Sequence, residues 1–124
     1  MANEILGWAW VLGALIMGLY VGVKFQREDW LGGYGTLPRR MVRLAHVALA
    51  ALGILNIEVG HTLPHTALPA TLARSASSAF IAAAISMPAC CLWIASGRQD
   101  FSIFALPAGC LAIGLVLILG GLLL

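Results

Sequence analysis

Four long apolar runs, almost no charge inside them, and glycine and proline between them predict an all-α integral membrane protein. The expected architecture is four transmembrane helices in an antiparallel bundle, with both termini on the non-cytoplasmic side. Hydrophobic residues fill 61% of the 124 positions and charged residues only 10%. A water-soluble domain of this size covers itself with roughly 25% charged residues, whereas a surface facing lipid has no such need. The formal net charge of +2 is too small for a nucleic-acid footprint.

A hydrocarbon core about 30 Å thick is crossed by roughly 20 apolar residues in a helix. The first run extends from about Ile5 to Val23, the second from about Met41 to Val59, the third from about Thr71 to Ala95, and the fourth from about Ile103 to Leu124. Backbone groups in lipid find no water, so each run must bond within itself as a helix. The chain therefore reads as one four-helix transmembrane domain over residues 1–124. Met1-Ala2-Asn3-Glu4 lacks the positive start of a cleavable signal, and the run after it is too long for one, so it is expected to stay as a span.

The connections follow from their breakers. Lys24 to Arg40 is polar and holds Gly32, Gly33, Gly35 and Pro38; Gly60 to Pro69 holds Pro64 and Pro69. Ser96 to Asp100 is short enough to make the third and fourth helices antiparallel neighbours. Pro88 and Pro107 are expected to mark kinks. Of the seven basic residues, Lys24, Arg27, Arg39, Arg40, Arg43 and Arg98 flank the first and third connections, and only Arg74 lies near the second. The positive-inside rule then puts those two connections in the cytoplasm. Trp8, Trp10, Trp30, Tyr34 and Trp93 stand near span ends, as an aromatic belt requires. The expected location is a bacterial inner membrane.

Lipid tails are as apolar as leucine, so helices in a bilayer associate through close packing of small residues. Ala14, Gly18 and Gly22 give the first span a small residue every fourth position. On the third, Ser75, Ala79, Ala82, Ala83 and Ser86 share a face, which makes that helix the expected bundle centre. At about 100° per residue, His46, Ala50, Gly53, Ile57 and Gly60 form one stripe of the second span, with Asn56 at its edge. Small residues leave room beside the imidazole for either a flat cofactor or another backbone.

Ionisable groups in hydrocarbon are functional candidates by default, and His46 is the one expected deep inside. Its chemistry points to a metal or cofactor contact: haem b, or a quinone. Haem iron accepts His/His and His/Met pairs, but all three histidines lie on the second span or just after it. A second axial ligand would be Met87, at similar depth on the third span, or a group from another chain. His61 follows His46 by 15 residues, about 22 Å of helix, which would suit one ligand near each leaflet. His61 and His65 at four-residue spacing could share a metal, but no third ligand accompanies them and Pro64 intervenes. A soft-ligand copper site from Met17, Met87, Cys90 and Cys110 has the right chemistry. The same residues, with Cys91, also serve as ordinary apolar filler.

No nucleotide loop, nucleophile elbow, HExxH or paired carboxylates occur, so no catalysis by this chain alone is expected. The chain is similar in size to the small four-span drug exporters, whose first span carries an embedded glutamate; here Glu4 stands at the extreme end of that span. Taken together, the residues predict a small non-catalytic subunit of a multi-subunit electron-transfer complex. Its partners are lipid and other membrane subunits. The competing expectations are an oligomeric transporter or channel whose path is lined by His46, Asn56 and Glu58, and a membrane-bound enzyme or assembly factor.

Overall fold

A computed structural model describes all 124 residues. The molecule is an all-α bundle of four long apolar helices, each long enough to cross a bilayer, and the protein is an integral membrane protein. They are α1 (Ala2–Phe25), α2 (Leu37–Thr62), α3 (Ala70–Ala95) and α4 (Ala105–Leu123). Short 3-10 turns at Trp30–Gly32, Leu63–His65 and Phe101–Phe104 sit in the three connections.

Several helix ends differ from the expectation. Pro38 does not break the first connection but stands in the first turn of α2, where a missing N–H costs nothing and a fixed φ favours helix. Arg39 and Arg40 are therefore helical. At the far end α2 continues through Gly60 to Thr62 before Pro64 enters its 3-10 turn. Pro107 is the third residue of α4, in the first turn, where a missing N–H leaves no bond of that helix unmade, as at Pro38. Helix α3 runs unbroken through Pro88. It stops where Gly97, at φ +99°, turns left-handed and donates its N–H to the Ile94 carbonyl. Asp100 then caps the turn before α4, accepting from the Ser102 hydroxyl and backbone N–H. Those bonds, the hydroxyl's first, hold its carboxyl below the usual carboxylate range.

Each helix packs antiparallel on the next. Gly7 and Gly18 of α1 meet Gly53 and His46 of α2 in reversed order. Ala48 and Leu52 of α2 cluster with Ala84 of α3, and Val59 with Ala76 and Phe80. The ends of the row are unequal to its middle: α1 and α4 share no interface, and each is mostly exposed, whereas α2 and α3 are the inner pair. The centre is thus shared between α2 and α3 rather than held by α3 alone.

Small residues determine these approaches, but not always the expected ones. A Cβ on Gly7 would stand 2.6 Å from the Gly53 carbonyl oxygen, and one on Gly53 would stand 2.9 Å from that of Gly7. The two backbones touch, and only glycine permits it. Ala14 is buried in the same interface, while Gly22 faces outward with nothing within 4 Å. On α3, Ala83 is fully buried and Ala79 half-buried, but Ser75 and Ala82 are exposed. Ser75 and Ser86 donate to carbonyls of their own helix, those of Thr71 and Ala82. The buried face runs instead through Ala76, Phe80, Ala84, Pro88, Cys91 and Ile94. It is rotated because Phe80 needs a hole, and Gly114 of α4 supplies it: a Cβ there would lie 2.7 Å from the ring.

Candidate functional site

Helix α2 carries the polar groups that matter, and they separate into three places along it. Near its N-terminus Arg39 is fully buried. Its Nη2 donates to the Phe25 carbonyl at 2.7 Å, and Nη1 lies 3.2–3.4 Å from the carbonyls of Arg27, Glu28 and Trp30. The guanidinium carbon is 3.8 Å from the Tyr34 ring centre, 4.2 Å from that of Phe25 and 5.5 Å from that of Trp30. Tyr34 also donates its hydroxyl to the Phe25 carbonyl at 2.9 Å. Phe25 ends α1, so a cation sits where the helix leaves its unpaired carbonyls and negative dipole end. Trp30 and Tyr34 therefore build a cage rather than a simple interfacial belt. Arg39 was legible only as a topology charge, although three aromatics and a proline within fifteen residues accompany it.

Two turns further on, His46 faces α1. A Cβ on Gly18 would meet its Cε1 at 2.8 Å, so the glycine is what admits the imidazole. The room beside His46 is filled by a backbone, that of α1. The ring's Nδ1 is buried and has no hydrogen-bond partner. Met87 is not brought to it. It packs against Ala48, Leu52 and Ala84, and Ala48 and Leu52 lie on the side of α2 opposite His46 at about 100° per residue. His61 and His65 are exposed at the other end of the molecule. Nowhere do three or more His, Cys, Asp or Glu side chains converge as metal ligands would.

The third place is a closed polar cluster near the other end. Asn56 is fully buried; its Nδ2 donates to the Leu52 carbonyl at 2.9 Å and the Phe80 carbonyl at 3.3 Å. Its Oδ1 accepts from Asn3 Nδ2 at 2.9 Å, and that nitrogen also donates to the Ser77 carbonyl at 3.3 Å. The Ser77 hydroxyl donates to Asn3 Oδ1. Three helices are thereby tied by a network in which both amides are fully used. Asn3 had read as a flanking residue; its position one turn before Gly7 was the signal that it belongs to the α1 stripe. Trp10, placed by sequence in the belt, adds a second tie from α1 to α3 by donating to the Ala84 carbonyl at 2.8 Å.

His46, Asn56 and Glu58 do not line one path. Asn56 is sealed in its cluster, and Glu58 is exposed on roughly the opposite side of α2, two residues and about 200° further on. Comparison with known proteins returned no matching family, no similar curated protein and no similar solved structure.

Proposed function

We propose that this chain is a small, non-catalytic subunit of a multi-subunit membrane complex of the electron-transfer kind, with His46 as its cofactor contact. The observation that carries this is the His46 imidazole. It lies within a span, its Nδ1 is buried without a partner, and Met87 packs on the opposite side of the helix. With Nδ1 enclosed within this chain, Nε2 is the ring atom left to bond a group from another molecule.

The ring's surroundings suit a quinone better than haem b. Ligation of iron through Nε2 would leave the ring proton on Nδ1, and a buried donor without an acceptor costs about 1–3 kcal/mol. With the proton on Nε2 instead, the ring donates to a carbonyl oxygen, and Nδ1 is left an unpaired acceptor, which buried sites tolerate somewhat better than an unpaired donor. A quinone carbonyl fits that donor; when bound it would supply the electron-carrying chemistry, and His46 would hold it by that bond. We place the protein in a bacterial inner membrane with both termini outside, because six of its seven basic residues flank the α1–α2 and α3–α4 connections.

The test is to purify the chain in mild detergent with whatever co-migrates, extract and quantify quinone, and record the reduced-minus-oxidised visible spectrum. The expected result is a larger assembly holding quinone that is lost in His46→Ala, with any haem band unchanged. Loss of a haem α-band in that variant would assign iron ligation to His46 instead. A homogeneous homo-oligomer with neither quinone nor haem would overturn the redox reading and leave transport as the successor.

A further inference from the structure

Along α2, away from His46, two clefts meet. One, of about 330 Å³, is lined by Arg40, Met41, Arg43, Leu44 and Val47. The other, of about 350 Å³, is lined by Leu44, Val47, Ala48, Leu52, Met87 and Phe104, every one apolar. Leu44 and Val47 line both, so the basic cleft opens into the apolar one. Arg40, Arg43, Leu44 and Val47 follow each other at helical spacing on one face. Both arginines are exposed, and neither joins an ion pair: the chain's ion pairs are Met1 with Glu4 and Arg27 with Asp29. The Arg43 guanidinium rests 5.5 Å from the Phe25 ring centre and keeps its donors free.

We propose that this continuous groove binds an anionic phospholipid, with its phosphate between Arg40 and Arg43 and an acyl chain in the cleft toward Leu52 and Met87. Charge and dimension both argue for this occupant. Two unpaired guanidiniums at the membrane surface attract a net negative headgroup, and Arg can bind phosphate through a two-pronged fork. Arg40 to Leu52 is twelve residues, about 18 Å of helix, close to the half-thickness of about 15 Å that one leaflet's chains occupy. A small free anion would have no use for the apolar half. A zwitterionic lipid would bring a cation toward the same two arginines.

The experiment is native mass spectrometry of the full chain in mild detergent. It is titrated with phosphatidylglycerol, with phosphatidylcholine of the same acyl chains, and with inorganic phosphate. A surface arginine contributes about fivefold to holding an anionic headgroup, so R40Q/R43Q should weaken phosphatidylglycerol about thirtyfold and leave phosphatidylcholine unchanged. R27Q/R74Q removes the same charge elsewhere and should change neither. Val47→Trp fills the junction of the clefts and should weaken both lipids. Melting temperatures of the variants report whether each is folded. Equal binding of the two lipids to the unaltered chain would overturn the proposal, as would equal losses in the two double variants. Full competition by inorganic phosphate, with Val47→Trp without effect, would reduce the groove to an anion site and overturn it as well.

Discussion

Asn56 offers the sharpest test of how this bundle is held together, because hydrophobic burial drives little helix association inside a lipid bilayer. Truncation to alanine removes three hydrogen bonds, of which those to Asn3 and to the Phe80 carbonyl cross between helices. Interhelical side-chain bonds in membranes average about 0.6 kcal/mol and reach about 1.7, so two contribute about 1–3 kcal/mol. The cavity left at a fully buried site adds about 1 kcal/mol. Asn56→Ala should therefore lose about 2–4 kcal/mol, read from reversible unfolding of the purified protein in mixed micelles. Asn3→Ala should lose a comparable amount, since it removes the bond to Asn56 and both bonds to Ser77, although Asn56 stays bonded to two carbonyls. The double variant should fall short of the sum by about 0.5–2 kcal/mol, because the two amides bond each other. A loss under about 0.5 kcal/mol in Asn56→Ala, or strict additivity with Asn3→Ala, would refute the tie between α1, α2 and α3.

Two further outcomes follow from the same contacts. Gly53→Val should destabilise by about 1–3 kcal/mol, since the added atoms meet backbone that cannot move without parting α1 from α2; Gly22→Val should leave stability unchanged, and thermal melts in detergent compare them. Arg39→Lys keeps the charge but loses the fork that reaches four carbonyls; each charged bond lost costs about 1.5–3 kcal/mol, and limited proteolysis should find the segment from 26 to 36 newly cleavable.

What the sequence revealed depended on whether a property was local. Four spans were legible because hydropathy over twenty residues needs no partner to be read. The α2 stripe of His46, Gly53, Ile57 and Gly60 was legible too, since polar and small residues alternate with bulky ones around that helix. Helix α3 defeated the same reading: alanine and serine occur on every side, so the face that buries Phe80 depends on Gly114, thirty-four positions away. Proline had two meanings, and only its place relative to the helix start told them apart at Pro38 and Pro107. Asn3 and Arg39 were hidden for another reason. Each lies at a span end, where polar residues ordinarily face water or headgroups, and only the tertiary approach of α2 encloses them.

The outer surface of α4 bears on whether this chain works alone. Exposed leucine there needs no explanation, because lipid solvates it as well as protein does. Exposed glycine is different. In a helix interior glycine is about 1 kcal/mol worse than alanine, and the other glycines of α4 have an inward use: Gly114 receives Phe80 and Gly121 receives Leu68. Gly109 and Gly120 have nothing within 4 Å. They lie on one outward stripe with Ala105, Ala112 and Val116, all exposed, beside a shallow cleft of about 290 Å³ lined by Ala112, Ile113, Val116 and Leu117. Small residues at this spacing let a second helix approach closely, and lipid chains draw no comparable benefit from them. The same surface chemistry joins α1 to α2 within the chain, at Gly7 and Gly53. Such a face would seat a neighbouring helix of either kind, from a different subunit or from a second copy of this chain.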